Sequence, residues 1–329
     1  MKVVVTGANG FLGSWLTKRL ASDGYDAHIV ARQSSDLSDL QGIKFKTLYG
    51  DVTDLKSLEK AFEGADQIFH LAGVVAYKKS QRELMEKVNF EGTRNVIQAM
   101  KAKKVKKLLH LSSVVTVGAS FTSQDILNEN SQYNLQHLNL GYFETKRKAE
   151  QAVIKATMNS DIDGIIVNPS TIYGPSDAKK GSRSIQLKVA KGKFPFYTGG
   201  GVNVVAVNDV VNGIMLAIQK GRPSERYILS GDNWTIQKLF QQISLEAGVQ
   251  APQIKIPDFA LHTLGTFGDL GQTLGFSGGI SRENAWTSTL FHWFDNSKAK
   301  KELGFSPGPA EAAIHASVNW IKQQGMLKP

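Results

Sequence analysis

Residues Thr6–Gly13 read TGANGFLG, and this stretch decides how the rest of the chain is interpreted. It follows a short β-rich run, Lys2–Val5, and opens a predicted helix, Phe11–Ser22. Three glycines spaced G-x-x-G-x-x-G allow a tight turn and let backbone N–H groups approach a pyrophosphate at the helix N-terminus. A glycine turn alone could merely join a strand to a helix, but its place at the first strand–helix junction favours dinucleotide binding. The predicted contacts of this turn are Thr6, Gly7, Asn9, Gly10, Phe11, Leu12 and Gly13.

Outward from the turn, the first half of the chain alternates strand and helix patterns. The predicted strands are Lys2–Val5, Ala27–Ala31, Phe45–Tyr49, Gln67–Leu71, Lys107–Leu111 and Gly164–Val167. The predicted helices are Phe11–Ser22, one from an Asp54 N-cap through Phe62, Arg82–Ala102 and Gly141–Met158. Strands that alternate with helices pair in parallel through right-handed crossovers. The predicted fold is therefore α/β, with a doubly wound parallel sheet.

The regular alternation ends after Pro169. Asp209 is predicted to cap a helix that reaches about Gln219, Tyr227–Leu229 is a further short strand, and the remainder is mostly helical. Residues 1–175 are predicted to form a dinucleotide-binding domain, to which the chain returns at about 202–221. Residues 176–201 and 222–329 are predicted to form a smaller, mostly helical substrate-binding lobe.

Composition excludes several classes of function. The 329 residues contain no cysteine, so disulfides, thiolate metal sites and a cysteine nucleophile are excluded, and no metal site is predicted. No apolar run approaches the roughly 18 residues that cross a bilayer, so we expect a soluble, cytoplasmic protein without a membrane partner. The formal charge is +10, but the lysines at 101–107 lack the interleaved aromatic residues of a single-strand binding platform. We therefore expect a solvated basic face and no nucleic-acid partner.

Arg32 stands at the end of the second predicted strand, about 20 residues beyond the glycine turn. An acid at this place would bind the ribose hydroxyls of NAD, whereas an arginine accommodates the 2′-phosphate of NADP. A guanidinium binds phosphate through charge-assisted hydrogen bonds, so the sequence favours NADP over NAD. Asp51 and Val52 follow the third strand, where they could reach the adenine, although Asp51 could equally be a turn residue.

Tyr142 is the one tyrosine with a lysine four residues later, Lys146. Two residues at this spacing share a helix face, so both side chains can converge on one site. A nearby ammonium and an oxidised nicotinamide would stabilise the phenolate and lower the tyrosine pKa. Ser112 and Ser113 end the fifth strand, where ligands of open α/β sheets bind. A serine hydroxyl there can hold a substrate oxygen while the tyrosine transfers a proton, although one of the two serines is plausibly a capping or turn residue.

Together these motifs resemble the extended short-chain dehydrogenase/reductase superfamily, and within it the dihydroflavonol-4-reductase-like enzymes. The matching segments are TGANGFLG, Asp51–Asp54, His70–Gly73, Asn89–Thr93, Ser112–Ser113, Tyr142-x-x-x-Lys146, Asn168–Pro175, Asp295–Ala299 and Glu302–Phe305. They are spread over essentially the whole chain. The resemblance implies a Rossmann-type sheet and a homodimer joined through the Arg82–Ala102 and Gly141–Met158 helices.

The same resemblance implies roles for individual residues. Tyr142 would be the general acid–base, Lys146 would bind ribose and lower the tyrosine pKa, and Ser113 would position the substrate oxygen. His70 and His110 are interpreted as packing residues. The further cofactor contacts implied are Leu71, Ala72, Gly73, Asn89, Ser112, Asn168, Pro169 and Thr171.

Departures from the family patterns narrow the activity. Val114 and Val115 replace the acid pair that 4,6-dehydratases carry after the active-site hydroxyl residue, so dehydration is not expected. Val202–Asp209 contains no basic residue, whereas nucleotide-sugar epimerases place an arginine in such a segment to meet the diphosphate. The predicted activity is NADP(H)-dependent interconversion of a small or moderately apolar ketone or aldehyde with its alcohol. A sugar epimerase and a non-catalytic nucleotide sensor are the alternatives, and candidate pocket walls are Phe194, Phe196, Tyr197 and Trp286–Phe294.

Overall fold

The computed structural model describes residues 1–179, 184–273 and 280–327. In its first half, strands and helices alternate. The strands are β1 (Lys2–Thr6), β2 (Asp26–Ala31), β3 (Lys46–Tyr49), β4 (Gln67–His70), β5 (Lys107–Leu111) and β6 (Asp163–Pro169). The helices are α1 (Phe11–Ser22), α2 (Leu55–Ala61), α3 (Arg82–Met85), α4 (Gly92–Lys103) and α5 (Gly141–Met158). A π-helical turn, Glu86–Glu91, joins α3 to α4, so the helix predicted at Arg82–Ala102 is present with one wide turn inside it.

The second half contains shorter strands and the remaining α-helices. Its strands are β7 (Thr171–Tyr173), β8 (Phe196–Tyr197), β9 (Gly201–Ala206), β10 (Arg226–Leu229), β11 (Asp232–Thr235), β12 (Ile254–Lys255) and β13 (Phe291–His292). Its helices are α6 (Ser184–Ala190), α7 (Val207–Lys220), α8 (Ile236–Ala247), α9 (Asp258–Thr273), α10 (Arg282–Thr289), α11 (Ser297–Leu303) and α12 (Ala310–Gln323). Within the described ranges, none of these helices combines the length and apolar character that crossing a bilayer requires.

The central sheet has seven parallel strands in the order β3-β2-β1-β4-β5-β6-β10. The strand order reverses between β1 and β4, and ligands of such sheets bind in the crevice beyond the carboxyl ends at this point. The glycine turn follows β1 directly, so it lies at the reversal. The predicted doubly wound parallel fold is confirmed.

Helices cover both faces of this sheet, which is why most of the buried positions on its strands are apolar. Val3 and Val5 of β1 belong to the core on the side of α1, α7 and α11. Val4, between them, belongs to the core on the side of α2, α4 and α5. All three valines are fully buried. The two layers hold the carboxyl ends of the strands in place, and the candidate site lies at these ends.

The structure corrects the predicted domain boundaries in two places. Residues 222–329 were assigned to the substrate lobe, but Arg226–Leu229 pairs in parallel with β6 and forms the edge of the central sheet. Gly201–Ala206, predicted to belong to the nucleotide domain, instead pairs with β7, β11 and β13 in a separate sheet. The parts of the predicted lobe at 180–183, 274–279 and 328–329 lie outside the described residues.

The predicted N-cap at Asp209 is also wrong. Helix α7 begins two residues earlier, at Val207, after Ala206 in an extended conformation. Asp209 therefore lies within the first turn, where a negative charge interacts favourably with the helix dipole. Its carboxylate accepts a hydrogen bond from the backbone N–H of Gly308 at 2.9 Å.

Candidate active site

Close backbone contacts explain the glycines of the turn after β1. Gly7 has a φ of +76°, and a Cβ there would lie 2.6 Å from the Ala72 nitrogen. A Cβ at Gly13 would lie 2.1 Å from the Gly7 carbonyl oxygen. The N–H of Gly10 donates to the same oxygen at 3.0 Å. Gly7 and Gly13 therefore let β1, α1 and the segment after β4 approach one another more closely than any side chain would allow.

The N-terminus of α1 has the features of an anion-binding site. Its N-cap, Gly10, provides no side-chain hydrogen bond, and the first turn contains no acidic residue. The first N–H groups of a helix lack intrahelical partners and carry partial positive charge, so the turn fits the pyrophosphate of a dinucleotide. Asn9 and Phe11 are partly exposed at the turn. Leu12, in contrast, is buried in the core, so its side chain is not available to a ligand.

Arg32 follows β2 at the same edge of the sheet. Its side chain is 66% exposed, and its Nε lies 3.9 Å from a carboxylate oxygen of Asp51. The other oxygen of Asp51 accepts hydrogen bonds from Thr53, so Asp51 also acts as the turn residue that the sequence allowed. Val52 is buried, and its carbonyl accepts from Asn95 at 2.9 Å. Arg32 thus remains open to an anionic ligand at the end of β2.

Helix α5 brings Tyr142 and Lys146 to the carboxyl end of β5, beside Ser113. The Ser113 side chain lies close enough to the Tyr142 hydroxyl to favour the ionised form of the phenol. Lys146 Nζ donates to the Leu111 carbonyl oxygen at 2.6 Å. Tyr142 and Lys146 are both buried. The three predicted catalytic residues are therefore brought together, although Ser113 and Tyr142 are 29 positions apart in the sequence.

Burial changes the protonation of this group in two directions. Burial raises the pKa of Tyr142 above its ordinary value, and the Ser113 side chain lowers it only in part. Burial lowers the pKa of Lys146 to about 8, although the neighbouring Glu150 carboxylate opposes this shift. The sequence predicted a lowered pKa for Tyr142, but Ser113 and Lys146 do not produce one in the protein alone. Tyr142 is a neutral phenol here and is suited to donate a proton.

The segment after β4 lies between the glycine turn and this group. The N–H of Leu71 donates to the Thr6 carbonyl at 3.1 Å, and that of Ala72 donates to the Thr6 hydroxyl at 3.3 Å. A Cβ added at Gly73 would lie 3.9 Å from Lys146 Nζ. The predicted contacts of this segment therefore connect the glycine turn after β1 to Lys146.

Asn89, in the π-helical turn, holds the next part of the loop. Its amide oxygen accepts from the Val74 N–H at 2.7 Å, and its amide nitrogen donates to the Val74 carbonyl at 3.0 Å. The same nitrogen donates to the Thr145 hydroxyl at 3.2 Å. Asn89 is buried, so in this structure its side chain organises the loop next to Lys146.

Two predicted cofactor contacts direct their side chains elsewhere. Ser112 donates to a carboxylate oxygen of Glu150 at 2.5 Å, and Asn168 donates to the same oxygen at 2.8 Å. Both side chains lie in the interior, where they could not also reach a nicotinamide. Pro169 ends β6 and is buried, while Thr171 belongs to β7 and is partly exposed. Of these four, Thr171 alone retains an accessible side chain.

The wall around Tyr142 is mainly apolar. Val74, Val115 and Trp286 pack against the buried cluster that contains Tyr142, as does Tyr77. The rings of Tyr77 and Tyr142 meet edge to face with centroids 6.3 Å apart. Trp286 was predicted as a pocket wall and lies in this cluster. A substrate at the Tyr142 hydroxyl would therefore meet aromatic and aliphatic surface.

The other predicted pocket aromatics lie elsewhere. Phe194 packs with Phe240 against the core of the small lobe, and its ring also meets that of the exposed Phe196. Phe294 is buried with residues after β5, and Trp293 donates to the Trp234 carbonyl at 2.9 Å. Phe194, Trp293 and Phe294 therefore serve packing. Tyr197 lies in β8, which pairs with β12, and Phe291 lies in β13, which pairs with β9.

Sequence reasoning missed Glu150 and Tyr77. Glu150 follows Lys146 by four residues, as Lys146 follows Tyr142, so the spacing places all three on one face of α5. That spacing was a usable signal. Nothing in the sequence indicated Tyr77, which lies in the loop after β4 and approaches Tyr142 only through the fold.

The chain belongs to the NAD dependent epimerase/dehydratase family, whose sequence model matches residues 3–230. It is 30% identical to sterol demethylase protein B of Methylococcus capsulatus over 99% of this chain and 100% of that protein. It is 29% identical to a putative dihydroflavonol 4-reductase of Synechocystis sp., covering 98% of this chain and 95% of that one. The crystal structure of gox2253 superposes with a TM-score of 0.88 at 33% identity and covers 99% of both chains. The resemblance to extended, dihydroflavonol-reductase-like short-chain dehydrogenases predicted from sequence is confirmed.

Proposed function

We propose that this protein reduces a ketone or aldehyde to an alcohol with NADPH. The observation that carries the proposal is the buried Tyr142 hydroxyl, which lies beside Ser113 within an apolar wall and one helical turn from Lys146. A neutral phenol beside a second hydroxyl is the arrangement needed to hold a carbonyl oxygen and protonate it. A nucleotide sensor would have no use for this group.

Each residue has a distinct part in the proposed reaction. When bound, reduced nicotinamide supplies the hydride. Ser113 and Tyr142 donate hydrogen bonds to the substrate oxygen, and Tyr142 gives its proton as negative charge develops there. Lys146 stabilises the resulting phenolate by its positive charge. Because burial raises the pKa of Tyr142, the phenol stays protonated at neutral pH, which suits the reductive direction.

The environment supports an uncharged, moderately apolar substrate. The segment Val202–Asp209 forms β9 and the start of α7 and contains no cation for a diphosphate. Asn203, the amide side chain of β9, is already hydrogen-bonded to Ser170, Gly231 and Asn233. An unpaired diphosphate would lose its hydration without compensation. A carbonyl substrate, as the name of the Synechocystis relative suggests, fits this surface better.

Arg32 supports NADPH as the cofactor. Its exposed guanidinium stands at the end of β2, where the 2′-phosphate of an NADP-type cofactor is expected. Asp51 is 3.9 Å away and gives only a loose ion pair, so the arginine remains able to bind a phosphate. Arg32 is therefore assigned to the 2′-phosphate.

The proposal is tested with a panel of apolar ketones and aldehydes assayed separately with NADPH and NADH, with Tyr142→Phe in parallel. We expect steady NADPH oxidation by the wild type and a loss of about 10²-fold or more in kcat in Tyr142→Phe, because proton transfer is removed. Binding of NADPH, followed by its fluorescence, should be unchanged.

Tyr25→Phe is the matched control, because Tyr25 precedes β2 at the opposite end of the sheet. It should keep full activity. Full activity of Tyr142→Phe would contradict the assignment. Sugar epimerisation without net NADPH turnover would favour the epimerase, and NADPH binding without any turnover would favour the sensor.

A further inference from the structure

Glu150 is a buried carboxylate outside the predicted catalytic group. It lies on α5, one turn beyond Lys146, and is 3% exposed. Residues four apart on a helix are neighbours, with about 5–6 Å between their Cβ atoms. Tyr142, Lys146 and Glu150 therefore form one row along α5, from the apolar pocket wall into the interior.

Four side chains bind this carboxylate. One of its oxygens accepts hydrogen bonds from Ser112 at 2.5 Å, Thr116 at 2.8 Å and Asn168 at 2.8 Å. The other oxygen accepts from Arg226, on the edge strand β10, at 3.2 Å. Both oxygens of the Glu150 carboxylate are therefore occupied by buried or half-buried donors.

The same network holds the backbone of Ser113. The carbonyl oxygen of Ser113 lies 2.9 Å from the Thr116 hydroxyl and 3.0 Å from the Asn168 amide nitrogen. Thr116 and Asn168 thus bridge the serine backbone to Glu150. Removing the carboxylate would leave buried donors without their acceptor, at a cost for each that exceeds the net value of a hydrogen bond.

We propose that Glu150 is a positioning residue of the active site, which anchors Ser113 to the catalytic helix and places a negative charge one turn from Lys146. The effect of Glu150 on catalysis rests on the proposed function. Its effect on the pKa of Lys146 does not, because that pKa can be measured without substrate or cofactor. Glu150 does not touch the substrate position and acts through Ser113 and Lys146.

The charges around Lys146 and Glu150 determine the direction in which the pKa of Lys146 changes when the carboxylate is removed. Burial lowers the pKa of Lys146 to about 8, and the Glu150 carboxylate raises it against that trend. His70 and His110 face Lys146 from β4 and β5, but burial lowers both of their pKa values, so they stay neutral at pH 7. Arg226 is the other cation on Glu150. Without the carboxylate, Lys146 would lose its proton at a lower pH.

The test compares Glu150→Gln, Glu150→Asp and Thr116→Val. Thr116→Val removes the hydroxyl whose single proton is shared between the Glu150 carboxylate and the Ser113 carbonyl but keeps the charge of Glu150, so it is the structural control. Two measurements are made on each variant between pH 6 and 10. One is the pH profile of kcat; the other is the NMR titration of ¹³C-labelled lysine without cofactor, with the Lys146 signal assigned from Lys146→Met.

In Glu150→Gln we expect the Lys146 midpoint and the alkaline limb of kcat to move down by about 1 pH unit or more. Glu150→Asp and Thr116→Val should lower kcat and keep the wild-type midpoint. If Glu150→Gln loses stability and kcat with an unchanged lysine midpoint, Glu150 is structural only and the proposal is overturned. The same holds if Thr116→Val shifts the midpoint equally. Because the lysine titration needs no substrate, it remains decisive even if the proposed reductase activity is absent.

Discussion

A single guanidinium, that of Arg32, carries the expected choice between the two nicotinamide cofactors. It extends into solvent from the end of β2, and its one described ion-pair partner, Asp51, is 3.9 Å away. A hydrogen bond to a charged group contributes about 1.5–3 kcal/mol, which corresponds to roughly a 10- to 150-fold change in affinity. NADH, which has no 2′-phosphate, gains nothing from this contact.

We therefore expect Arg32→Ala to raise the KM for NADPH about 10-fold or more and to leave the KM for NADH nearly unchanged. Steady-state kinetics with each cofactor measures this. Arg19→Ala is the control, because Arg19 lies on α1 and is hydrogen-bonded to Asp23 and Asn212. An equal rise of KM for both cofactors would assign Arg32 to general nucleotide binding and remove the basis for NADP preference.

Individual site residues could be predicted from the sequence where their positions follow from helix spacing or from the end of a strand. Tyr142 and Lys146 are four apart on one helix, and Ser113 ends a strand, so their convergence followed from the fold class. The contacts of Ser112 and Asn168 with Glu150 join residues 38 and 18 positions apart. Both were predicted to face the cofactor, because their position at strand ends was visible while their side-chain partners were not.

Two buried histidines on neighbouring strands of the central sheet differ in their hydrogen bonding. His70 on β4 and His110 on β5 are paired in register, with ring centroids 5.4 Å apart. His70 Nδ1 lies 2.7 Å from the Thr6 hydroxyl, and its Nε2 lies 3.0 Å from the Thr93 hydroxyl. Within the described residues, neither ring nitrogen of His110 has a hydrogen-bond partner.

The hydrogen-bond directions around His70 are determined by its neighbours. The Thr93 hydroxyl donates to the Asn89 carbonyl at 2.6 Å, so it must accept from His70 Nε2–H. His70 Nδ1 then accepts from the Thr6 hydroxyl, which in turn accepts from the Ala72 N–H. A neutral His70 satisfies this chain, which agrees with a pKa that burial lowers to about 3. The chain connects the end of β1 to the helix that carries Asn89.

We expect His70→Leu to lower the free energy of unfolding by about 1–3 kcal/mol, because the Thr6 and Thr93 hydroxyls lose buried partners. His110→Leu removes two ring nitrogens that have no described partner and should change it by less than about 0.5 kcal/mol, or increase it. Urea denaturation at pH 7 measures both. Equal destabilisation by the two substitutions would show that packing, and not the hydrogen-bond chain, determines the cost.

Helices and strands were predictable where each one packs against its neighbours in sequence. The helix at Gly141–Met158 was predicted with its observed bounds, and Asp54 caps α2 through the N–H groups of Lys56 and Ser57 as expected. The short strands β7, β11 and β13 were not predicted. Each takes its stability from pairing with β9 rather than from a periodic pattern of its own.

In the whole molecule, the face formed by α4 and α5 is the candidate contact surface for a second copy of the chain. The outer faces of α4 and α5 lie side by side and form a groove of about 470 Å³. Its lining combines apolar residues with charges of both signs; these are Phe90, Arg94, Ile97, Gln98, Lys101, Lys148, Gln151, Ala152, Lys155, Ala156, Asn159 and Asp161. A two-fold interface brings one patch against itself. Three of the four cations are already paired within the chain, Arg94 with Glu91, Lys101 with Asp161 and Lys148 with Glu86, so little unpaired charge would oppose a second copy. We propose that the protein forms a homodimer through this face.

Gln151 is exposed in the middle of this face and is uncharged. In Gln151→Arg, an added cation would meet the lysines and arginine of the same patch on the other copy. We expect sedimentation velocity to give a dimer for the wild type at micromolar concentration and a monomer, or a dissociation constant at least about 10-fold higher, for Gln151→Arg. Gln324→Arg adds the same charge after α12, away from the groove, and should remain dimeric. Gln151 lies on the side of α5 opposite the row of Tyr142, Lys146 and Glu150, so its substitution should not disturb the active site. A monomeric Gln151→Arg variant that still binds NADPH would show that dimerisation is not needed for cofactor binding. A monomeric wild type, or equal dissociation in both variants, would contradict this interface.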